Sequence, residues 1–163
     1  MLPKRRLSYA QGYLELGMLA EATAELDRIP APESAQIEVL GLRLAILQEQ
    51  QAWPALRDLA SQVVSRAPQE AAAWITWAYA TRRADSLAAA EQILLSAEVQ
   101  HPAEATIQFN LGCYACQRGD LAAARERVNR AIELEPKFAD AAAIDPDLAP
   151  LRAADATDCQ PTA

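Results

Sequence analysis

The amino-acid sequence predicts an all-α protein, and three observations support this prediction. Alanine, which loses the least conformational freedom on entering a helix, contributes 37 of the 163 residues, against only five glycines. Similar side chains recur every 34 residues along most of the chain. Within one period the apolar residues follow helical spacing. Together these features argue against a β-sandwich.

The 34-residue period is visible in several columns at once. Prolines recur as Pro68, Pro102 and Pro136, which alone could be coincidence. The same step connects two further columns, Leu19, Trp53, Leu87 and Leu121, and Ala22, Leu56, Ala90 and Ala124. Agreement between columns indicates four repeats without insertions, at about 3–36, 37–70, 71–104 and 105–138.

Each repeat is predicted to form two helices joined by a short turn. In the fourth repeat, Leu121, Ala124 and Val128 make one apolar stripe on the second helix. Gly119 is expected to end the first helix in a left-handed conformation, and Asp120 to cap the second. The predicted helices are 5–16, 20–29, 36–49, 54–66, 70–83, 87–100, 104–117 and 121–134. Short connections make neighbouring helices antiparallel.

The periodic pattern ends shortly after the fourth repeat. A fifth unit begins at residue 139 and fails at Asp145–Pro146, so its short helix is expected to cap the fourth repeat over residues 139–152. We therefore predict a single domain over residues 1–152. Residues 153–163 lack periodic apolar side chains and are expected to be disordered.

Charge and composition restrict the partners and the compartment. The net charge of −7 and the pI near 4.7 disfavour binding to nucleic acid, because such a chain repels phosphates. No run approaches the roughly 20 apolar residues that span a bilayer, so no membrane role is predicted. Three cysteines form a poor disulfide framework, which favours a reducing cytoplasm.

The sequence carries few groups suited to catalysis. It has no phosphate-binding loop, and its only histidine, His101, cannot build a metal site or a triad alone. We therefore expect no cofactor. Cys113 and Cys116 are spaced like redox or zinc-binding cysteines, but they lie in the middle of a predicted helix. The simpler interpretation is that they are small side chains lining a groove.

The fourth repeat resembles the tetratricopeptide repeat (TPR) family, whose 34-residue unit is a helix–turn–helix. The resemblance lies in the segments 110–115 and 119–121 and in Ala124, Ala131 and Pro136. The third repeat also matches, whereas the first two depart from the pattern at Ser34, Arg43 and Leu44. The resemblance implies a right-handed α-solenoid of antiparallel helix pairs, in which small residues such as Gly112 and Ala124 stand where paired helices press closest.

The resemblance also implies a non-catalytic function. In this family the first helices line a concave groove that binds a peptide or a partner protein. Here the expected partner-binding residues are Gln11, Ala45, Gln48, Ile75, Tyr79, Arg82, Arg83, Phe109, Asn110, Cys113, Cys116 and Gln117. A peptide with apolar anchors and a carboxylate would suit these side chains. The cationic clamp for chaperone tails is missing, although Asn110 stands at one of its positions.

The three tryptophans, Trp53, Trp74 and Trp77, are assigned to the core.

Two other functions stay open. The chain could be a self-associating structural or scaffold protein that forms a homodimer. It could also be a thiol redox or zinc-binding protein acting through Cys113 and Cys116. Of the three, a small cytoplasmic interaction module of bacterial origin is the leading hypothesis.

Overall fold

The structure is a computed structural model that describes residues 3–158. Within this range the chain forms ten α-helices and two 3-10 turns and contains no strand, so the all-α prediction is confirmed. The helices are α1 (Pro3–Glu15), α2 (Leu19–Asp27), α3 (Ile37–Glu49), α4 (Trp53–Arg66), α5 (Ala71–Ala84), α6 (Leu87–Gln100), α7 (Ala105–Gln117), α8 (Leu121–Leu134), α9 (Phe138–Ile144) and α10 (Ala149–Asp158). The 3-10 turns are Glu33–Ala35 and Pro146–Leu148.

The turn between α7 and α8 shows why the helix ends could be predicted. Gly119 has a φ of +83°, the left-handed conformation that glycine adopts most easily. The Asp120 carboxylate then accepts a hydrogen bond from the Ala123 amide at 3.0 Å and caps α8. Both local predictions are confirmed.

The C-terminal end differs from the prediction. Residues 153–158, expected to be disordered, form the last six residues of α10, because Leu151 near its start is buried and anchors the helix. The rest of the expected disordered tail, residues 159–163, lies outside the described residues. None of the helices in the described range is long and apolar enough to cross a bilayer.

The chain divides into two compact units, and the single repeat domain over residues 1–152 stays a prediction. The first unit ends at Ser86 and contains α1–α5, and the second begins at Leu87 and contains α6–α10. The two helices of the third repeat therefore belong to different units.

The first unit is built from successive helices that pack against their neighbours, α1 on α2, α2 on α3, α3 on α4 and α4 on α5. Ala10, Ala22 and Leu26 are fully buried where α1 meets α2. Trp74 is buried near the start of α5, where its indole N–H donates a hydrogen bond to the Pro68 carbonyl at 2.9 Å. The packing of α3 against α2 and α4, and of α5 against α4, holds in place the two helices that carry the candidate site.

The second unit is centred on α7, which packs against α6, α8 and the Pro146–Leu148 turn. A Cβ atom added at Gly112 would lie 2.8 Å from Val128 Cγ2, closer than real Cβ atoms approach, and 3.3 Å from the Ala124 carbonyl oxygen, which is an unusually tight contact. The predicted close contact of α7 and α8 at Gly112 and Ala124 is therefore confirmed.

Candidate functional site

An apolar cleft of about 240 Å³ opens between α3 and α5 of the first unit. Small residues keep it open, above all Gly41 and Ala45 on α3 and Ala72 on α5. A Cβ atom added at Gly41 would meet no atom within 4 Å, so there is free space beside this helix. Gln48 and Glu70 bring polar groups to the cleft. The remaining lining residues are Ile37, Leu44, Val63, Ala73 and Thr76.

An aromatic and cationic cluster continues the same face of α5. Thr76, Tyr79 and Arg83 are spaced i, i+3 and i+7, so they lie along one side of the helix. The Arg83 guanidinium lies 5.3 Å from the ring centroid of Trp53 and 5.2 Å from that of Tyr79. Arg83 Nη2 also donates a hydrogen bond to the Tyr79 hydroxyl at 3.1 Å. The two rings meet edge to face, with centroids 5.6 Å apart. The cation is thus held in place before any ligand arrives.

The corresponding face of α7 in the second unit is covered. Phe109 lies against Phe138, with ring centroids 4.9 Å apart, and is buried. The side chains of Cys113 and Cys116 are only 4% and 2% exposed. The Gln117 side-chain amide donates to the Asp147 carbonyl at 2.8 Å, which holds the Pro146–Leu148 turn beside the helix. Phe109, Cys113 and Cys116 were therefore wrongly predicted to line an open groove, because the chain after α8 folds back onto them.

A polar cleft of about 560 Å³ lies elsewhere in the second unit, among α6, α7 and α8. Buried Gln108 donates to Glu98 Oε1 at 2.7 Å and accepts a hydrogen bond from Arg127 at 2.8 Å, while Arg127 also pairs with Glu98. Partial burial raises the pKa of Glu98, but the hydrogen bonds from Arg127 and Gln108 outweigh it and hold that pKa below its ordinary value. These three side chains satisfy one another, so the network is structural.

The other predicted partner-binding residues are only partly brought together. Ala45 and Gln48 line the apolar cleft, and Tyr79 and Arg83 form the adjoining cluster. Gln11 is exposed on α1, away from the cleft lining, where its side chain bonds to Glu15. Ile75, Arg82 and Asn110 are half-buried and do not line the cleft.

Sequence reasoning missed several residues of this surface. Trp53, assigned to the core, is half-buried and supports Arg83 from the start of α4. Ala72 and Thr76 also line the cleft without having been predicted. Ala72, Thr76 and Tyr79 are spaced i, i+4 and i+7 on α5 and so share one helix face, and this spacing was a signal that could have identified Thr76.

The cysteines give no sign of a metal centre in the described part of the chain. Cys113 and Cys116 are both buried thiols. No group of three His, Cys, Asp or Glu side chains within residues 3–158 could hold a metal ion.

Helix pairs that repeat every 34 residues, with small residues at the close contacts and a cleft lined by first helices, define a TPR-like helical repeat protein. Comparison with solved structures confirms this fold. MamA from Desulfovibrio magneticus RS-1 superimposes with a TM-score of 0.69 at 19% identity, over 83% of this chain and 78% of MamA. A MamA double mutant gives a TM-score of 0.71 at 19% identity, over 83% and 76% of the two chains.

A third solved structure is YrrB, described as a TPR protein with an unusual peptide-binding site. Its TM-score is 0.65 at 16% identity, over 90% of this chain and 71% of YrrB. No family model matches the sequence, and no curated protein sequence matches it. At these identities the comparisons establish the fold, and the resemblance to the TPR family is confirmed at that level.

Proposed function

We propose that this chain is a non-catalytic protein-interaction module that binds a peptide segment of its partner in the α3–α5 cleft. The observation that carries the proposal is the apolar cleft itself, which is open within the first unit and has free space at Gly41. Pockets of this kind bind apolar side chains because burying apolar area is favourable by about 25 cal/mol per Å².

The chemistry of the cleft suits a peptide better than a rigid small molecule. At about 240 Å³ the cleft is below the usual range of roughly 300–1,000 Å³ for small-molecule pockets, but it accommodates one or two side chains. The Gln48 amide can donate to and accept from a peptide backbone. YrrB, which shares the fold, is described as having a peptide-binding site, and this supports the same use here.

The proposal includes the class of partner and the compartment. The net charge of −7 favours a protein partner over nucleic acid or an anionic membrane surface. The buried thiols of Cys113 and Cys116 fit a reducing cytoplasm. The bacterial origin stays a prediction.

Filling the cleft tests the proposal. The full-length protein is used to select binders from random 12-residue peptides displayed internally on phage, and the affinities of the selected peptides are measured. Gly41→Phe and Ala72→Phe place a ring into the cleft from opposite sides, so we expect each to weaken binding by about tenfold or more. Gly12→Phe is the matched control, because Gly12 also has open space but lies on α1, outside the cleft.

We expect Gly12→Phe to stay within about twofold of the unmodified protein. Circular dichroism melting confirms that all three variants fold. Equal affinity in the three variants, or no selected peptide at all, would exclude the cleft as a peptide site.

One observation favours self-association as a second function. Leu16 is 74% exposed and Met18 is 38% exposed at the turn between α1 and α2, where they form an apolar edge. If this edge makes a homodimer, light scattering gives a mass that rises with concentration, and Leu16→Glu returns it to the monomer value. A constant monomer mass rules the homodimer out.

A further inference from the structure

The Arg83 guanidinium is an exposed cation that its own unit does not neutralise. Among the described residues its recorded partners are the rings of Trp53 and Tyr79 and the Tyr79 hydroxyl, with no carboxylate among them. The flat rings restrict the guanidinium to one position, which lowers the entropy lost when a ligand binds. The donors not used by Tyr79 can still bind an anion, since a guanidinium carries five N–H groups.

The nearest acid in the sequence is already occupied. Asp85, two residues after Arg83, accepts from Arg57 at 2.9 Å on Oδ1 and 2.8 Å on Oδ2. Arg57 also pairs with Asp58, and the hydrogen bonds to Asp58 and Asp85 raise the pKa of Arg57. Arg57 therefore takes both acids at this end of α4 and α5 and leaves the positive charge of Arg83 for an external carboxylate.

The Tyr79 hydroxyl adds a second donor at the same place. Its oxygen accepts the hydrogen bond from Arg83, so its own proton can point to another acceptor. A carboxylate in front of the pair can accept from the guanidinium and from the hydroxyl together. Such charge-assisted hydrogen bonds are roughly twice as strong as neutral ones.

We propose that the first unit selects acidic peptides, in which one apolar side chain enters the α3–α5 cleft and an Asp or Glu side chain binds Arg83 and Tyr79. The inference rests on the proposed function and specifies its ligand. Thr76 and Arg83 are seven residues apart on α5, about 10 Å along the helix axis. An extended peptide covers this distance with about three residues, so the acid follows or precedes the apolar residue by about three positions.

The carboxylate belongs to a side chain within the peptide rather than to a C-terminus. Arg83 lies in the last turn of α5, and both it and Tyr79 are exposed. Both groups are therefore open to solvent at the C-terminal end of this helix. The bound segment can therefore continue beyond the acidic residue.

Peptide selection tests this inference directly. The internally displayed library contains no free C-terminus, and a second library displays the same random sequences with one. We expect the internal library to give Asp or Glu about three positions from an apolar residue, and we expect selection with Arg83→Gln to lose that enrichment.

A double-mutant cycle then isolates the ion pair. Arg83→Gln should lower the affinity for the best acidic peptide by about tenfold. For the same peptide with its acid changed to the amide, the substitution should lower the affinity by less than about twofold. Arg83→Lys keeps the charge but loses the planar stacking, so we expect an intermediate loss. Arg5→Gln is the matched control, because Arg5 makes the same type of contact with Tyr9, at 5.6 Å from the ring, on α1 outside the cleft.

Three results would overturn the inference while leaving the peptide site intact. These are selected peptides without acidic enrichment, an acid preference that persists in Arg83→Gln, and enrichment only in peptides with a free C-terminus. Failure to select any peptide would overturn the proposed function as well. Loss of the acid preference in Arg83→Gln but not in Arg5→Gln supports the inference.

Discussion

The faces of α5 and α7 occupy the same repeat positions but differ in exposure. Tyr79 and Arg83 on α5 correspond, 34 residues later, to Cys113 and Gln117 on α7. In the first unit these positions hold an exposed ring and a cation. In the second unit Cys113 is buried, and Gln117 bonds to the backbone of the same chain. A repeat position therefore determines where a side chain points, whereas the neighbouring segment determines whether a partner can reach it.

The physical cause of the difference is the chain that follows α8. Phe138 and the Pro146–Leu148 turn pack against α7, and Leu148 is almost completely buried. The second unit thus uses its first-helix face for stability, while the first unit leaves a cleft between α3 and α5. Three predictions test this comparison, from the largest expected effect to the smallest.

Removing the covering ring should strongly destabilise the second unit. We expect Phe138→Ala to lower the free energy of unfolding by about 3–5 kcal/mol, because the substitution leaves a cavity beside Phe109. Cys113 should also react faster with a thiol reagent. Chemical denaturation and timed labelling measure the two effects.

Tyr79→Ala in the first unit is the matched control, since it truncates a ring that is 36% exposed. We expect Tyr79→Ala to lower the free energy of unfolding by at most about 1 kcal/mol. Equal losses in the two variants would contradict the contrast between a covered and an open face.

Glycines on the two faces should respond with opposite signs. Gly112→Ala should lower the free energy of unfolding by about 1–3 kcal/mol, because the new methyl group collides with Val128. Gly41→Ala should raise it by up to about 1 kcal/mol, because alanine favours the helix and the site has room. Thermal denaturation of both variants distinguishes the signs, and stabilisation by Gly112→Ala would show that α7 and α8 are less tightly packed.

Acid should weaken the second unit through Glu98. Because the folded pKa of Glu98 is lower than its unfolded value, its stabilisation is present above the unfolded pKa and is lost as the pH falls through the folded pKa. We expect protonation of Glu98 to lower the free energy of unfolding by about 1 kcal/mol. Glu98→Gln should flatten the pH dependence of unfolding, measured by hydrogen exchange in the second unit.

Glu133→Gln is the comparison variant, since Glu133 pairs with Arg130 at the surface, where both side chains are more than half exposed. It should leave the pH dependence nearly unchanged. If Glu133→Gln flattened the pH dependence of unfolding and Glu98→Gln did not, the prediction that Glu98 causes this dependence would be wrong.

The helical framework could be predicted from sequence because its signals are local. The 34-residue columns placed the helices, Gly119 and Asp120 placed a turn, and Gly112 and Ala124 placed a close contact. The C-terminal helix was missed beyond residue 152 because it has no repeat to match. Buried Leu151, the hydrogen bonds from Arg152 to the Ala142 and Asp145 carbonyls and the pair of Asp155 with Arg125 hold it in place.

The site was only partly predictable because it depends on packing between distant segments. Helical spacing alone was enough to place Ala45 and Gln48 beside the cleft and Tyr79 and Arg83 beside each other, whereas their binding of a partner stays a prediction. The same spacing failed for Phe109, Cys113 and Cys116, since the segment that covers them breaks the period at Pro146. Arg83 lies on α5 and contacts the ring of Trp53 on α4, so a spacing pattern within one helix cannot reveal this contact.

The boundary at Ser86 falls inside the third repeat, so the repeats of the sequence and the compact units of the structure do not coincide. Each unit holds five of the described helices, an odd number, although the sequence recurs in pairs of helices. The number of repeats and the number of compact bodies need not rise together during evolution.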